Sequence, residues 1–477
     1  METERRKFNF GVISKKFLTK SSKELVQGVN DDFDPSTIDI LDEYNEIVRL
    51  VEGGPNIIFV TGRAGTGKST MIKYIKHKIQ LSAVIAPTNI AAENVKGMTI
   101  SSFFGLPNSI FNPEDLATKS KVKMPLLRGL KLLIVDEVSM VNAAVIDAMD
   151  IILRKANNST LPFGGISILF VGDLFQLPPI VQDAEVNKYF SADEGQYDNV
   201  YFMSAKVFTN TTFEFTPIEL TKVRRQNENE DAEFIEALNK IRIAGSDLQS
   251  YIDLLNTACY DDKRDDPFDN AITLAPSKSI VAETNQARMD EISNPAKSYN
   301  GTLYQLTAQD ITGFQAPDVL ELKVGARVLF VSNNKPRWIN GDLGEVTELN
   351  EDTIVVKSMK TGINETVSRC EFKKYKYIYN ISEGKMTITE KGSFEQFPLV
   401  QGWAITIHKS QGMTMEKVIV DIGGSAFADG QTYVALSRVK SLAGLKLQTK
   451  LSIQDIQVNI DIRNSYEELF GDSYSVH

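Results

Sequence analysis

Short runs of β-branched and other apolar residues recur along the first part of the chain, each closing on glycine, proline or acid. Asn56 to Thr61 (NIIFVT) is one such run, and its unbroken apolar character predicts a strand buried on both faces, as in a parallel sheet. Met71, Ile72, Ile75 and Ile79 then recur at helical spacing and mark one face of a helix. Further strands are predicted over Ala83 to Ala86, ending in Pro87 and Thr88; over Leu130 to Val135, ending in Asp136 and Glu137; and over Ile166 to Val171, leading into Gly172–Pro179. Alternation of strand and helix predicts an α/β fold with a parallel sheet. Residues 105–129, with Pro107, Pro113 and Pro125, break this rhythm and read as an inserted loop or small subdomain. Between 326 and 395 the strand-like runs ARVLFVSN, GEVTEL, TIVVKS and KYIYNI crowd together, with Trp338 to Asp342 between two of them. A length of 477 residues exceeds one ordinary core of about 100–200 residues and predicts two large domains with insertions.

The loop after the first run carries chemistry. Gly62, Arg63, Ala64, Gly65, Thr66, Gly67, Lys68 and Ser69 match the phosphate-loop pattern G-x-x-x-x-G-K-[ST], set between strand and helix as that pattern requires. Glycines let backbone N–H groups close on phosphates, and the following helix adds the positive end of its dipole. Lys68 is expected to reach the β- and γ-phosphates, and the Ser69 hydroxyl to hold Mg²⁺; Thr70 completes the nucleotide-facing set. Ligands of open α/β sheets sit beyond the carboxyl ends of the strands, which aims Asp136 and Glu137 at the nucleotide. Asp136 is then the Mg²⁺ partner and Glu137 the group that orients the attacking water. Gln176, at the same edge, is placed to sense a γ-phosphate by hydrogen bonding.

Composition narrows the setting. Lys and Arg number 52 against 62 Asp and Glu, a formal net charge of -10, which argues against a surface coated for bulk nucleic-acid binding. A local basic channel remains open, because screening confines charge effects to about 8–10 Å at physiological salt. Acid concentrates in 227–236 and 261–266, whereas Lys119, Lys121, Lys123, Arg128 and Lys131 cluster, as do Arg369, Lys373, Lys374 and Lys376. Two cysteines, Cys259 and Cys370, and three histidines, His77, His408 and His477, assemble neither a disulfide framework nor a Cys/His zinc site. The N-terminus lacks the apolar core of a secretion signal, and no stretch approaches the roughly 20 apolar residues of a membrane span. The expectation is an intracellular protein without membrane contact: cytoplasmic in a bacterium or phage, nuclear or mitochondrial in a eukaryote.

TGRAGTGKST, APTNIAAENVKGMTISSFFG, LLIVDEVSM, FVGDLFQLPP, LTKVRRQ, WAITIHKSQGMT and GQTYVALSR resemble, in order and spacing, the motifs of superfamily 1B helicases. The likeness is to the Pif-one family, with RecD-type helicases as relatives, and runs over roughly residues 36 to 450; Glu137 to Val141 with the helix that follows carries the Pif-one signature. It implies two RecA-like cores with parallel sheets, the first over 36–205 with a wedge at about 105–129, the second over 206–325 and 396–460. A small β-barrel occupies 326–395, an N-terminal extension 1–35 and a C-terminal tail 461–477. Arg225 and Arg438 match the two arginine fingers, and an always-charged guanidinium suits bracing a γ-phosphoryl group across a cleft. Gly412 falls with the nucleotide-binding set. Asn45 stands where the family usually has an adenine-reading glutamine, and Ser101 where it has histidine.

The same resemblance places Pro87, Thr88, Ser102 and Phe103 of the first core, and Ser277, Thr406, His408 and Ser410 of the second, along single-stranded DNA. Sequence-independent strand binding needs such polar groups beside phosphates and aromatic faces beneath bases. The implied activity is an ATP- and Mg²⁺-dependent DNA helicase, moving 5′-to-3′ as a monomer on single-stranded, forked or structured duplex DNA in replication, repair, recombination or telomere and G-quadruplex maintenance. Two alternatives share the residues: a translocase that strips proteins without unwinding, and an ATP-gated scaffold subunit.

Overall fold

A computed structural model describes residues 34–471 other than 64, 108–110, 116–126, 180, 182, 194, 209–214, 223–231, 261–270, 308–309, 311–313, 381–384 and 424–425. The first core is a six-stranded parallel sheet: β1 Ile57–Gly62, β2 Ser82–Ala86, β3 Met98–Thr99, β4 Leu132–Val135, β5 Ser167–Val171 and β6 Phe215–Leu220, in the order β3-β2-β4-β5-β1-β6. Alternation along β1 explains its continuous apolar sequence. Ile57 and Phe59 enter one hydrophobic cluster, and Ile58 and Val60 enter another on the opposite face. Helices α1 Asp42–Gly53 and α2 Lys68–Lys78 cover the second face, with Met71, Ile72 and Ile75 fully buried. Each such side chain contributes roughly 1.5–3 kcal/mol by leaving water. The short helices α3 Asn89–Asn94 and α4 Ile100–Phe104 flank β3, and α5 Ala143–Asn157 covers the first face; α6 Ala184–Tyr189 follows β5.

β6 corrects an expected boundary. The second core was expected from residue 206, yet Val60 pairs with Ile218 in parallel register, so the first sheet runs to Leu220. Pro217 suits an edge strand, where no partner awaits its missing N–H.

Helices α7 Ala232–Ile243 and α8 Leu248–Cys259 lead to β7 Ile272–Ala275 and α9 Lys278–Asp290. An antiparallel region follows: β8 Lys297–Asn300, β9 Thr302–Tyr304, β10 Val319–Leu322, β11 Arg327–Phe330, β12 Leu343–Leu349, β13 Ile354–Ser358, β14 Asn364–Val367, β15 Cys370–Asn380, β16 Lys385–Gln396 and β17 Leu399–Gln401. These strands form three sheets, β10-β8, β14-β13-β12-β11-β17 and β15-β16-β9. The insertion therefore spans 297–401, wider than the expected 326–395 and built of three sheets where a single small barrel was expected. β8 (KSYN) carries one buried residue, Tyr299, too weak an alternation to mark a strand in sequence.

The chain then returns to the second core through β18 Ala404–Thr406, α10 Ile407–Ser410, β19 Val418–Val420, α11 Gln431–Leu436 and β20 Leu445–Leu447, giving a parallel sheet ordered β18-β7-β19-β20. The expected tail from 461 is instead part of a helix, α12 Ile460–Phe470, capped by Asn459, whose side-chain oxygen accepts from Asp461 N and Ile462 N. Ile462 and Tyr466, four apart, bury in the first core's cluster, so α12 crosses back from the second core to the first. The described ends of the proline-rich insertion also join that cluster through Leu106, Phe111 and Leu127. No helix among the described residues is long and apolar enough to cross a membrane.

Candidate nucleotide site and the cleft between the cores

The carboxyl ends of β1, β2, β4 and β5 share one edge of the first sheet, and the candidate residues hang from them. Gly62 ends β1 where a Cβ would stand 2.6 Å from Thr66 Oγ1 and 2.9 Å from the Leu220 carbonyl, a space only glycine fits. Gly67 adopts a left-handed conformation, φ 88°, and opens α2. Thr66 is buried and donates to the Arg63 carbonyl at 3.0 Å, while Gly65 and Ser69 are exposed and Thr70 half-buried at the helix mouth. Lys68 Nζ turns into the loop, donating to the carbonyls of Gly62 and, at 3.0 Å, Arg63. Burial pulls its pKa down, against the nearby charges of Asp173, Glu137 and Asp136. Ala64 lies outside the described residues.

Asp136 and Glu137 leave β4 together. Asp136 Oδ1 accepts from Glu137 N at 3.0 Å, and Glu137 sits at φ 50°, a left-handed conformation uncommon for a residue with a side chain. Burial, reinforced by Glu137, pushes Asp136 up to about 7. Burial likewise raises Glu137, opposed by Lys68 and Arg438, and its Oε2 is buried with no protein hydrogen bond. Gln176 is buried, its Oε1 also without a protein partner. Arg438 comes from the second core, just beyond α11. Its Nε donates to Val434 O at 2.8 Å and its Nη1 to Met413 O at 3.1 Å, which holds the guanidinium where its charge reaches Glu137. Lys68 thus stands within electrostatic reach of Asp136 and Glu137, and Glu137 within reach of Arg438 across the cleft. Arg225 lies outside the described residues.

Gly412 and Asn45 are the two remaining nucleotide candidates. Asn94 Nδ2 donates to the Gly412 carbonyl at 2.6 Å, tying the loop after α10 to α3. Asn45 is exposed on α1, its Oδ1 accepting from Tyr74 OH at 2.7 Å.

The DNA candidates gather at strand ends. Pro87 and Thr88 are half-buried after β2, and Thr88 Oγ1 accepts from Ala91 N at 3.2 Å. Ser102 is exposed on α4 and bonded to Thr99 Oγ1 at 2.8 Å. Ser277 caps α9, accepting from Ile280 N at 3.4 Å. Thr406 and His408 are half-buried, and burial lowers the His408 pKa.

A model of the PIF1-like helicase family matches residues 39–248. The ATP-dependent DNA helicase Pif1 of Bdellovibrio bacteriovorus is 30% identical over 420 residues, 86% of this chain and 88% of that protein. The chain belongs to the PIF1-like helicase family. The ATP-dependent DNA helicase PIF1 of Emericella nidulans is 30% identical over 472 residues, covering 85% of this chain; the chain spans 60% of that relative's length. Among solved structures, a Bacteroides Pif1 helicase in complex with ADP-AlF3 and single-stranded DNA superposes with a TM-score of 0.73 at 34% identity, covering 91% of this chain and 99% of that one.

Within this PIF1-like chain two of the expected DNA contacts have buried side chains. Phe103 is 7% exposed, packed edge-on to Phe104 with centroids 5.1 Å apart, because α4 turns both rings into the first core. Ser410 is fully buried, its hydroxyl donating to Ile407 O at 2.7 Å to close the turn of α10. Sequence reasoning also missed residues. Phe427 is 63% exposed and stacks on His408 at 6.3 Å, presenting an aromatic face beside that candidate. Asp173 is fully buried and bonded across the cleft to Arg242 and Tyr433. Burial works against its charge, yet Arg242, Lys68 and the Tyr433 hydroxyl hold its pKa below the ordinary value. Asp173 and Tyr433 lie inside quoted motifs, so that position was a usable signal; Arg242, on α7, lies in no motif.

Proposed function

We propose that this chain is an ATP-dependent DNA helicase that translocates 5′-to-3′ on single-stranded DNA and couples hydrolysis to duplex unwinding. The observation that carries the reading is geometric: Lys68 in the glycine loop and Asp136 and Glu137 at the end of β4 face Arg438 of the opposite core, whose guanidinium is held by the Val434 and Met413 carbonyls. In this reading the loop N–H groups and Lys68 hold the phosphates, and Gln176, Arg225 and Arg438 grip the γ-phosphoryl group. Water attacks γ-phosphorus in line, the bond to the β-phosphate bridging oxygen breaks, and ADP leaves. Glu137, with its raised proton affinity, orients the water and takes its proton.

The donors fit a magnesium ion: an exposed Ser69 hydroxyl and the Asp136 carboxyl, which ordinary burial leaves short of countercharge. Among the described residues no three His, Cys, Asp or Glu side chains cluster for a metal, which suits an ion that keeps waters and takes phosphate oxygens with one or two protein ligands. Such an ion, when bound, neutralises charge developing on the phosphates.

ATP touching both cores favours their closed arrangement, and loss of the γ-phosphate releases it. Pro87, Thr88, Ser102, Ser277, Thr406 and His408 supply the strand-facing set, with Phe427 added to it. The test uses forked duplexes bearing a single 5′ or 3′ arm, with and without ATP. Unwinding of the 5′-armed fork alone, dependent on ATP and lost in Lys68→Ala, is the expected result. Unwinding from a 3′ arm overturns the direction. DNA-stimulated hydrolysis without unwinding leaves a translocase, and absence of hydrolysis leaves a scaffold.

A further inference from the structure

The loop that carries Gln176 hangs from β5 of the first sheet, yet its side chains are held by the second core. Asp173, fully buried, begins it. Its Oδ1 accepts from Arg242 Nε at 2.9 Å, with Arg242 Nη2 at 2.8 Å, and from Phe175 N within the loop at 3.3 Å; its Oδ2 accepts from Tyr433 OH at 2.9 Å. Arg242 is the last turn of α7 and Tyr433 lies on α11, both in the second core. The Arg242 guanidinium stands 4.5 Å over the Phe175 ring and 5.2 Å over Tyr466 of α12. At the loop's other end Leu177 is fully buried in the second core's apolar cluster, with Phe234, Leu238 and Tyr433. Between these anchors the backbone is pressed against α11. A Cβ at Gly430, the residue that opens α11 at φ 71°, would stand 2.3 Å from Phe175 O and 3.0 Å from Gln176 C.

We infer that Arg242 and Tyr433 are positioning residues that bolt the Gln176 loop to α11, so that Gln176 and Arg438 move as one unit when the cores open and close. Asp173 and Leu177 hold the loop at both ends, Gly430 admits it, and the helix that receives it ends just before Arg438. Gln176 N donates to Asp173 O at 3.0 Å, so its place follows from that of Asp173. A side chain reading the γ-phosphate from the first sheet thereby reports to the second core directly. A buried ion pair adds little net stability over an apolar packing of the same shape, so its contribution here is one fixed arrangement of the loop. A hydroxyl and a guanidinium meeting one carboxylate from two different helices specify that arrangement more narrowly than apolar contact does.

The inference rests on the helicase reading, and its test separates the two. Tyr433→Phe removes one hydrogen bond and keeps the ring in the apolar cluster, so the fold is retained. The full chain is assayed for single-strand-stimulated ATP turnover, for KM, for ATP consumed per base pair opened on the 5′-armed fork, and for Tm. KM is expected to stay within roughly twofold while kcat falls roughly three- to tenfold and ATP consumed per base pair rises at least about threefold. A purely structural bond would lower Tm and leave ATP per base pair untouched, and that result overturns the inference. Gln176→Ala in the Tyr433→Phe background is the second arm. Losses no larger than those of Gln176→Ala alone are expected if Tyr433 acts through Gln176, and additive losses overturn the inference. Wild-type protein that neither hydrolyses ATP nor opens the fork overturns the helicase reading, and the inference with it; wild-type activity with an unaffected Tyr433→Phe overturns the inference alone.

Discussion

Burial and the neighbouring Glu137 push Asp136 from 3.8 to about 7. The folded chain holds this proton more tightly than the unfolded chain, so Asp136 contributes stability below its unfolded pKa that is lost as pH rises through 7. Asparagine is neutral throughout. Without nucleotide or magnesium, the Tm of Asp136→Asn relative to the parent is therefore expected to rise by roughly 2–5 °C between about pH 5 and pH 8, measured by scanning calorimetry. An offset identical at both pH values would show that Asp136 is ionised throughout. Glu137→Gln is expected to retain nucleotide affinity and lose roughly 10²- to 10⁴-fold in turnover, compared by binding and single-turnover kinetics; equal losses in both would remove Glu137 from the chemical step. These residues were legible because phosphate chemistry restricts residue type and spacing around Gly62 to Ser69 and at the strand end. Arg242 was not, since an arginine late in an amphipathic helix reads as a solvated face until the fold brings Asp173 to it.

At the scale of elements, strands with strong patterns declared themselves and weak ones did not. β1, β2, β4 and β5 carry unbroken apolar runs because both faces are covered, and sequence marks them directly. β6 carries a proline and a glutamate, since it lies at the sheet edge, and its membership in the first core depends on pairing with β1. α12 was hidden for another reason: Ile462, Tyr466, Leu469 and Phe470 on one short helix mean little until the first core supplies their partner. Tyr466 OH donates to Glu219 Oε1 at 2.7 Å, joining α12 to β6, both of which sequence misassigned. Tyr466→Phe is expected to cost about 1–2 kcal/mol, read as a lowered denaturant midpoint with unchanged slope. Truncation after Val458 removes the buried Ile462 and Tyr466 together and is expected to lower the midpoint several times further. Equal effects would mean that the helix adds nothing beyond that one bond.

For the whole molecule, a net charge of -10 and the proposed binding to a polyanion are reconciled by where the positive groups stand. Lys278 opens α9 and Lys409 lies beside His408, at the carboxyl ends of β7 and β18 among the strand-facing candidates. Burial, with the neighbouring charge of Lys278, pushes Lys409 down to about 8. Free protein therefore loses this charge as pH rises through 8, whereas a DNA phosphate beside it would restore the proton. Single-strand affinity is expected to fall as pH rises from about 7 to 9.5, by at most roughly tenfold per unit. Lys409→Arg, whose charge does not titrate in this range, is expected to flatten the dependence while keeping the affinity measured at pH 7. Salt supplies the companion axis. Neutralising about four phosphates on a single strand gives a log–log slope near −0.7 per contact, or about a 50-fold loss of affinity between 50 and 200 mM salt. Fluorescence anisotropy with a short labelled oligonucleotide measures both. A flat response to salt would mean that phosphate contacts do not dominate binding, and a pH response unchanged in Lys409→Arg would place the titrating group elsewhere on the strand path.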